Sequence, residues 1–220
     1  MNVKRRPLLI TFEGGEGSGK TTQLKGTNQV EGFYSWFVKN YGEAILLKEP
    51  GGEPVAEKIR DILLSKGNSI SSMSELFLFE AARSQLYSSV INPSLRNKLS
   101  VLCDRSIDST LAYQGYAGNI NRELINQLNY EATSGRILDM TFIIDVSPEI
   151  GIKNAKKSKG RGTSRIDERD IMYHQKVAEG FREIARNNPK RCVLIPYVDG
   201  IEKVQDRIRG EFRSRYLVKF

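Results

Sequence analysis

Five short apolar runs, separated by longer segments with helical spacing, are the feature that most limits how this chain can fold. The runs are residues 8–12, 44–47, 100–103, 140–144 and 192–195. Polar and apolar residues do not alternate within them, which is typical of strands buried on both faces of a parallel sheet. Apolar residues at three- and four-residue spacings indicate helices between the runs, at residues 21–39, 55–65, 73–91, 122–133 and 168–186. The alternation predicts an α/β fold, with a five-stranded parallel sheet and helices on both faces.

The length and composition favour one globular domain over residues 1–220. Hydrophobic residues make up 39% of the chain and charged residues 27%, which allows a core and excludes a disordered or fibrous protein. The apolar run behind Arg6 stops at Glu13, too early for a signal peptide or a membrane span. We therefore expect a cytoplasmic protein with no membrane partner. Cys103 and Cys192 lie in apolar segments without CxxC spacing, so we expect buried, reduced thiols.

The chain is basic. Lysine and arginine number 34 against 26 aspartates and glutamates, which gives a net charge of +8. This excess favours an acidic partner, but nucleic acid, anionic lipid and a phosphorylated small molecule all fit it. Only the placement of particular residues separates these classes.

A glycine-rich segment between the first apolar run and the first helical segment matches the pattern GxxxxGK[ST] at residues 14–21. In this context the backbone N–H groups of the loop and the helix N-terminus bind phosphate oxygens. Lys20 is expected to bridge the β- and γ-phosphates, and the Thr21 hydroxyl to bind magnesium. The sequence thus predicts a P-loop NTPase fold with ATP and Mg²⁺ as cofactors. The predicted ATP-binding residues are Gly14, Gly15, Glu16, Gly17, Ser18, Gly19, Lys20, Thr21 and Thr22.

Two charged residues, Asp104 and Arg105, follow the third apolar run directly. Ligands of α/β proteins bind at the carboxyl ends of the strands. We therefore expect Asp104 to organise the metal ion together with Thr21, and Arg105 to lie in the same site. The alternative for Asp104 is a helix cap for the segment that starts near Ile107.

One segment departs from the alternation of strands and helices. Residues 156–165 contain five basic residues, two glycines and almost no apolar side chain. Such a segment cannot belong to a core, so we expect a mobile loop that forms a lid at about residues 156–168. A lid can bring positive charge to a transferring phosphoryl group and exclude water. Arg161 and Arg165 are the candidates, and a solvated surface loop is the alternative.

Several blocks of sequence, taken together, resemble the thymidylate kinase family in order and spacing. They are residues 11–23, the Glu-Pro-Gly-Gly block at 49–52, Asp104-Arg105 followed by Ser109-Thr110, and the Ala-Tyr-Gln-Gly block at 112–115. The resemblance covers nearly the whole chain. It implies that the chain transfers the γ-phosphoryl group of ATP to dTMP, giving dTDP and ADP for dTTP biosynthesis, and that it forms a homodimer.

The resemblance also implies roles for particular side chains. Phe79 is expected to stack on the thymine ring and Arg83 to bond its carbonyl edge, the alternatives being a core Phe and a surface Arg. Tyr113 would exclude a 2′-hydroxyl group, and Arg60 and Arg105 would hold the monophosphate. The implied substrate-binding residues are Glu49, Pro50, Arg60, Phe79, Arg83, Arg105, Thr110, Tyr113 and Gln114. The predicted catalytic residues are Lys20, Arg105, Arg161, Glu16 and Asp104.

Within the family, the chain is similar to the bacterial form, whose catalytic arginine lies in the lid. The phosphate-binding loop contains Glu16-Gly17 and no arginine, while Arg161 stands in the basic segment. The sequence departs from the usual family pattern at Lys48 and Glu53, on either side of the Glu-Pro-Gly-Gly block, and at residues 164–167. These departures leave the core chemistry in place and concern mainly the contacts of the lid.

Two other functions stay open on the sequence. One is a kinase for a different nucleoside monophosphate, such as another pyrimidine, on the same scaffold. The other is a P-loop ATPase stimulated by nucleic acid, which only the net charge supports. The chain lacks the stripe of aromatic and basic residues typical of single-strand binding, so we expect no stable nucleic-acid partner.

Overall fold

The computed structural model describes residues 5–157, 164–198 and 200–217. Its centre is a five-stranded sheet with the strand order β2-β3-β1-β4-β5. The strands are β1 (Leu9–Glu13), β2 (Ala44–Lys48), β3 (Ser100–Asp104), β4 (Met140–Asp145) and β5 (Cys192–Pro196). All pairings are parallel, so the predicted α/β fold with five buried strands is confirmed.

Ten α-helices form within the described residues. They are α1 (Lys20–Lys25), α2 (Phe33–Asn40), α3 (Pro54–Leu64), α4 (Ser72–Leu86), α5 (Asn92–Arg96), α6 (Ile107–Thr110), α7 (Arg122–Ala132), α8 (Pro148–Lys157), α9 (Ile171–Asn187) and α10 (Ile201–Tyr216). π-Helical turns follow α4 at Tyr87–Ile91 and α6 at Leu111–Ala117. Such turns are often found at functional sites, and the second one carries Tyr113 and Gln114.

The segment 21–39, predicted as one helix, forms two. α1 ends before Gly26, whose φ of 82° departs from helical geometry. The chain then returns on itself, and a Cβ atom at Gly32 would lie 2.3 Å from the Gly26 nitrogen. Only glycine permits this close approach of two backbones. The apolar spacing continues through the break, which is why the pattern alone did not reveal it.

The core has a layer on each face of the sheet, because successive residues of β1 point to opposite sides. On one face, aromatic rings from the sheet, α2 and α10 pack around Phe33 with centroid distances of 5.4 to 5.5 Å to Phe12, Phe142 and Phe212. On the other face, α9 and the second π-turn cover Ile143. This packing fixes Phe12 and Asp104 in register at neighbouring strand ends.

Both cysteines are buried and carry free thiols, as predicted. Burial raises the pKa of the Cys103 thiol well above its ordinary value, so this group has little thiolate character. Across the described ranges, no helix combines the length and the apolar character that crossing a bilayer requires.

The first two residues of the segment predicted as a lid, 156 and 157, are helical. Helix α8 continues through Lys156 and Lys157, which occupy its last turn. Positive side chains are favourable there because the helix dipole is negative at its C-terminus. Residues 158–163, and with them Arg161, lie outside the described part of the chain. The segment 164–170 is described and leads into α9 without regular structure.

Candidate active site

A cleft of about 1030 Å³ lies where the loop after β1, the segment after β2 and the turn after β3 meet. Small-molecule sites usually measure about 300–1,000 Å³, so this cleft can take an extended ligand or two ligands. The sequence-predicted residues that line it are Glu16, Gly17, Ser18, Gly19, Lys20, Thr21, Thr22, Glu49, Pro50, Arg60, Phe79, Arg83, Asp104, Arg105, Thr110, Tyr113 and Gln114. The fold therefore brings the two groups of predicted residues into one cavity.

The loop between β1 and α1 is built to receive an anion. Gly19 has a φ of 89° and directly precedes α1, which begins at Lys20. The Lys20 ammonium group donates to the carbonyls of Gly14 at 3.0 Å and Gly15 at 2.8 Å. Burial, followed by the nearby charge of Arg105, lowers the pKa of Lys20 to about 8. A phosphate group would supply the negative charge that these neutral carbonyls lack.

A glycine–glycine contact presses the phosphate-binding loop against α8. Gly17 has a φ of 62°, and a Cβ atom there would lie 1.8 Å from the carbonyl oxygen of Gly151. In return, a Cβ atom at Gly151 would lie 2.3 Å from the carbonyl oxygen of Glu16. Neither position has room for a side chain. The structure thus gives a steric reason why no arginine stands at position 17.

Thr21 and Asp104 form the oxygen-rich part of the cleft. The Thr21 hydroxyl donates to the Asp104 carboxylate from the first turn of α1. The helix-cap alternative for Asp104 is wrong, because the residue that precedes α6 is Ser106. Magnesium prefers oxygen ligands and is often held by one or two protein groups plus phosphates and water. The hydroxyl and the carboxylate fit such an ion beside Lys20.

Arg105 joins the turn after β3 to the phosphate-binding loop. It donates to Glu16 at 2.6 Å, to the Gly14 carbonyl at 3.2 Å and to the Ser109 hydroxyl at 3.1 Å, and it lies over the Tyr113 ring. Its φ of 74° is unusual for a residue with a side chain, and such strain concentrates at functional sites. Burial alone would lower the pKa of Arg105, but Tyr113 and Glu16 raise it above its ordinary value.

Arg83 is the centre of a buried polar cluster at the other end of the cleft. It donates to Glu49 at 2.8 Å, Glu80 at 2.6 Å, Asn129 at 2.7 Å and Thr110 at 2.8 Å. Burial opposes its charge, but Glu80 and Glu49 raise the pKa of Arg83 above its ordinary value. These bonds use four of the five N–H groups of a guanidinium, so one donor is left for a ligand. The surface alternative for Arg83 is wrong, because only 2% of the residue is exposed.

Phe79 lies one helical turn before Arg83 on α4, and its partly buried ring lines the cleft beside this cluster. Arg60, on α3, donates to the Pro50 carbonyl at 2.7 Å and also lines the cleft. A flat apolar ring next to fixed polar groups is the arrangement that a planar heterocycle requires. The cleft therefore has a phosphate end and a ring-binding end, and Arg105 stands between them.

Comparison with known proteins agrees with this arrangement. A family model described as "Thymidylate kinase" matches residues 12–208, a range that contains every predicted site residue. The chain belongs to the thymidylate kinase family. Relatives named thymidylate kinase include one from Acaryochloris marina, 38% identical over 94% of this chain and 96% of that protein. Another, from Nitrobacter hamburgensis, is 39% identical over 97% of this chain and 91% of that protein.

The solved structures agree as well. The crystal structure of thymidylate kinase from Ehrlichia chaffeensis superposes with a TM-score of 0.75 at 35% sequence identity. It matches 95% of this chain and 100% of that chain. The sheet, the phosphate-binding loop and the cleft described above therefore sit on a thymidylate kinase scaffold over almost the full length.

Three of the predicted site residues that the structure describes in this thymidylate kinase fold do not line the cleft. Gly14 and Gly15 are absent from the lining of the cleft and act through the carbonyls that hold Lys20. Arg165 is also absent from the lining, because its guanidinium pairs with the buried carboxylate of Glu75. The structure places Arg165, predicted as a lid residue, in the segment that leads into α9, whereas Arg161 lies outside the described residues.

The sequence assigned no separate role to Glu13, which appeared only within residues 11–23, the first block that resembles the family. The Glu13 carboxylate accepts from the Ser106 nitrogen at 2.7 Å and from the nitrogen and hydroxyl of Ser109. Both serines follow Arg105 within four residues, so Glu13 holds the turn that directly follows the strained Arg105 backbone. Burial, followed by repulsion from Asp108, raises the pKa of Glu13 to about 8. The sequence signal for this role was a carboxylate at the end of a mostly apolar strand.

Proposed function

We propose that this chain transfers the γ-phosphoryl group of ATP to dTMP, giving dTDP and ADP. The observation that carries this proposal is the single cleft that combines a phosphate-binding loop with a ring-binding end lined by Phe79 and Arg83. Its membership of the thymidylate kinase family supports the same activity. A nucleoside monophosphate placed with its base on Phe79 would direct its phosphate towards Arg105.

The chemistry needs alignment and charge neutralisation more than covalent participation by the protein. In the proposed mechanism, Lys20 and the backbone of the loop bind the triphosphate of ATP. Arg105 and Arg60 hold the phosphate of dTMP so that its oxygen faces the γ-phosphorus. Glu16 orients Arg105 through their ion pair. No covalent intermediate with the protein is required, and the phosphoryl group passes directly from one nucleotide to the other.

Magnesium is the proposed metal cofactor. Thr21 and Asp104 would hold it, because their hydroxyl and carboxylate oxygens lie together beside the phosphate-binding loop. When bound, such an ion neutralises charge on the phosphate oxygens. The described residues hold no cluster of three carboxylate, histidine or cysteine side chains, so the remaining ligands would be phosphates and water.

Arg161 is the proposed source of transition-state charge from the lid. Its role rests on the sequence, which supplies an arginine in the basic segment and none in the phosphate-binding loop. The steric contact between Gly17 and Gly151 supports this division, because it leaves no room for a side chain at position 17. Arg161→Ala should lower kcat far more than it raises the KM for dTMP.

We also propose a homodimer. Helices α3 and α4 present the exposed apolar side chains of Val55, Ile62, Met73 and Phe77, and Phe77 is 53% exposed. Exposed apolar residues on two helices that pack against each other favour association. Light scattering after gel filtration would measure the mass of the particle directly, and a 24.9 kDa species would contradict the dimer.

A cytoplasmic location is proposed as well, in agreement with the two free thiols.

The experiment that tests the activity measures both products. Purified protein with ATP, magnesium and dTMP should form dTDP and ADP in equal amounts, measured by chromatography. Lys20→Ala should abolish turnover, because it removes the cation from the phosphate-binding loop. Lys39→Ala is the matched control, since Lys39 lies on α2 and pairs with Glu31 at the surface. ADP without dTDP would contradict a kinase and indicate an ATPase.

A further inference from the structure

One buried carboxylate, that of Glu75, contacts both Gln114 at the ring-binding end of the cleft and Arg165 in the segment that leads into α9. Glu75 lies in the first turn of α4, and only 4% of it is exposed. One of its oxygens accepts from the Gln114 amide at 2.8 Å, and the other accepts from Arg165. Glu75 itself does not line the cleft, whereas Gln114 does.

Helix α4 places Glu75 in line with the ring-binding residues. Glu75, Phe79 and Arg83 are four residues apart and share one face of the helix. Gln114 reaches this face from the π-turn after α6. The buried carboxylate is therefore positioned one turn beyond the residue proposed to stack on the base.

The contact with Glu75 determines which way the Gln114 amide faces. A carboxylate only accepts hydrogen bonds, so the NH₂ group of Gln114 must point to Glu75. Arg165 donates to the other carboxylate oxygen, so both oxygens of Glu75 accept hydrogen bonds. The amide oxygen of Gln114 is then the group available to a ligand in the cleft.

This orientation complements one class of base. Thymine and uracil carry an N–H donor at N3 beside the carbonyl at C4, whereas cytosine carries an acceptor at N3 beside an amine. An acceptor from Gln114 and a donor from Arg83 match the first pattern and oppose the second. Mismatched donors and acceptors in a buried site leave polar groups unpaired, which is strongly unfavourable.

We propose that Glu75 is a positioning residue for base selection, which acts by holding the Gln114 amide with its oxygen towards the base and is itself held by Arg165. The inference rests on the proposed function, because it takes the ligand to be a pyrimidine monophosphate. It extends the specificity site from the cleft wall to a residue behind it, and it connects that site to Arg165 in the segment that leads into α9.

The test is the preference for dTMP over dCMP in Glu75→Gln, expressed as the ratio of their kcat/KM values. The neutral amide can donate as well as accept, so it no longer fixes the orientation of Gln114. We expect the ratio to fall about tenfold or more, because a Gln114 amide that can flip can donate from its NH₂ group to N3 of cytosine. A merely structural role for Glu75 would lower activity with both substrates and leave the ratio unchanged, which would overturn the proposal.

Two further variants keep the test decisive if Glu75→Gln folds poorly. Gln114→Ala must lower the ratio by itself, and Glu75→Gln must add nothing further in that background, because the two residues act through one contact. Glu75→Asp keeps the carboxylate and should preserve the ratio better than Glu75→Gln. An unchanged ratio in Gln114→Ala would overturn the proposal whatever Glu75→Gln does.

Glu179→Gln is the control, since Glu179 lies on the exposed face of α9 and pairs only with surface arginines in the described structure. Its ratio should equal that of the unmodified protein. If the unmodified protein phosphorylates dTMP and the Glu75 and Gln114 variants leave the ratio unchanged, only this inference fails. If the unmodified protein does not phosphorylate dTMP, the proposed function fails first.

Discussion

The guanidinium group of Arg105 donates to the carboxylate of Glu16 at 2.6 Å, and this ion pair connects the turn after β3 to the phosphate-binding loop. Both side chains are largely buried, so the pair is screened little by solvent. The same guanidinium contacts the Gly14 carbonyl and the Tyr113 ring. One cation thus organises the middle of the cleft, where the two nucleotides of the proposed reaction meet.

Replacing this cation should slow the reaction more than it weakens binding. Arg105→Ala removes the charge that faces the transferring phosphoryl group, so we expect kcat to fall about 10²-fold to 10³-fold. Steady-state kinetics with ATP and dTMP would measure kcat and both KM values. Arg186→Ala, at an exposed ion pair on α9 that does not line the cleft, is the control and should leave kcat unchanged. A rise in KM with kcat unchanged would make Arg105 a ground-state binding residue.

Binding of ATP should take up a proton through Lys20. The pKa of Lys20 is lowered to about 8, first by burial and then by Arg105, so about half of this group is neutral at pH 8. A bound triphosphate favours the charged form, and the uptake should be about half a proton at pH 8. Calorimetry in two buffers of different ionisation enthalpy measures the uptake. The same uptake in Lys20→Ala would show that another group is responsible.

The contact between Gly17 and Gly151 should be sensitive to a single methyl group. A Cβ atom at Gly151 would lie 2.3 Å from the Glu16 carbonyl, so Gly151→Ala must displace the backbone of the phosphate-binding loop. We expect a loss of about 1–3 kcal/mol in the free energy of unfolding and a fall in kcat. Urea denaturation and steady-state kinetics measure the two effects.

Gly210→Ala is the matched control for this substitution. Gly210 lies inside α10, and a Cβ atom there meets nothing within 4 Å. Alanine should stabilise the helix by about 0.5–1 kcal/mol and leave kcat unchanged. Equal effects of Gly151→Ala and Gly210→Ala would contradict the close-contact account.

Glu13 should make the protein less stable as the pH rises. Burial and Asp108 raise the folded-state pKa of Glu13 from 4.5 to about 8. Between these values the folded state binds more protons than the unfolded state, so the free energy of unfolding falls with increasing pH. The contribution of one group is at most about 1.4 kcal/mol per pH unit.

Glu13→Gln removes this contribution and keeps an acceptor for the nitrogens of Ser106 and Ser109. Its free energy of unfolding should therefore vary less between pH 5 and pH 8 than that of the unmodified protein. Urea denaturation at four pH values across this interval measures the difference. Parallel pH profiles for the two proteins would show that Glu13 does not titrate in this range.

The sequence predicted the parts of the site that are local in the chain. The phosphate-binding loop is one continuous motif, and Asp104 and Arg105 follow a strand that its apolar run reveals. The cluster around Arg83 is different, because its partners Glu49 and Asn129 are 34 and 46 residues away. Only the resemblance singled out Arg83, and no spacing rule predicts how its charge is compensated.

Contacts that depend on close approach were also hidden from the sequence. The break between α1 and α2 requires the backbone contact at Gly26, and Arg165, which the sequence predicted as a lid residue, pairs with a carboxylate 90 residues earlier. Glu75 and Glu13 are buried carboxylates, and acidic residues are seldom buried unless they are paired. Their burial follows from the assembled fold, so their positioning roles emerge only in three dimensions.

Phosphorylation rates across a panel of monophosphates test the central claim most directly. A coupled ADP-release assay with ATP and magnesium would give kcat/KM for dTMP, dUMP, dCMP, UMP, dAMP and dGMP. We predict dTMP first and dUMP second, since loss of the methyl group costs about 1–3 kcal/mol, with the other four far behind. UMP should be poor because we expect Tyr113 to exclude a 2′-hydroxyl. A purine or dCMP turned over as well as dTMP would contradict the account.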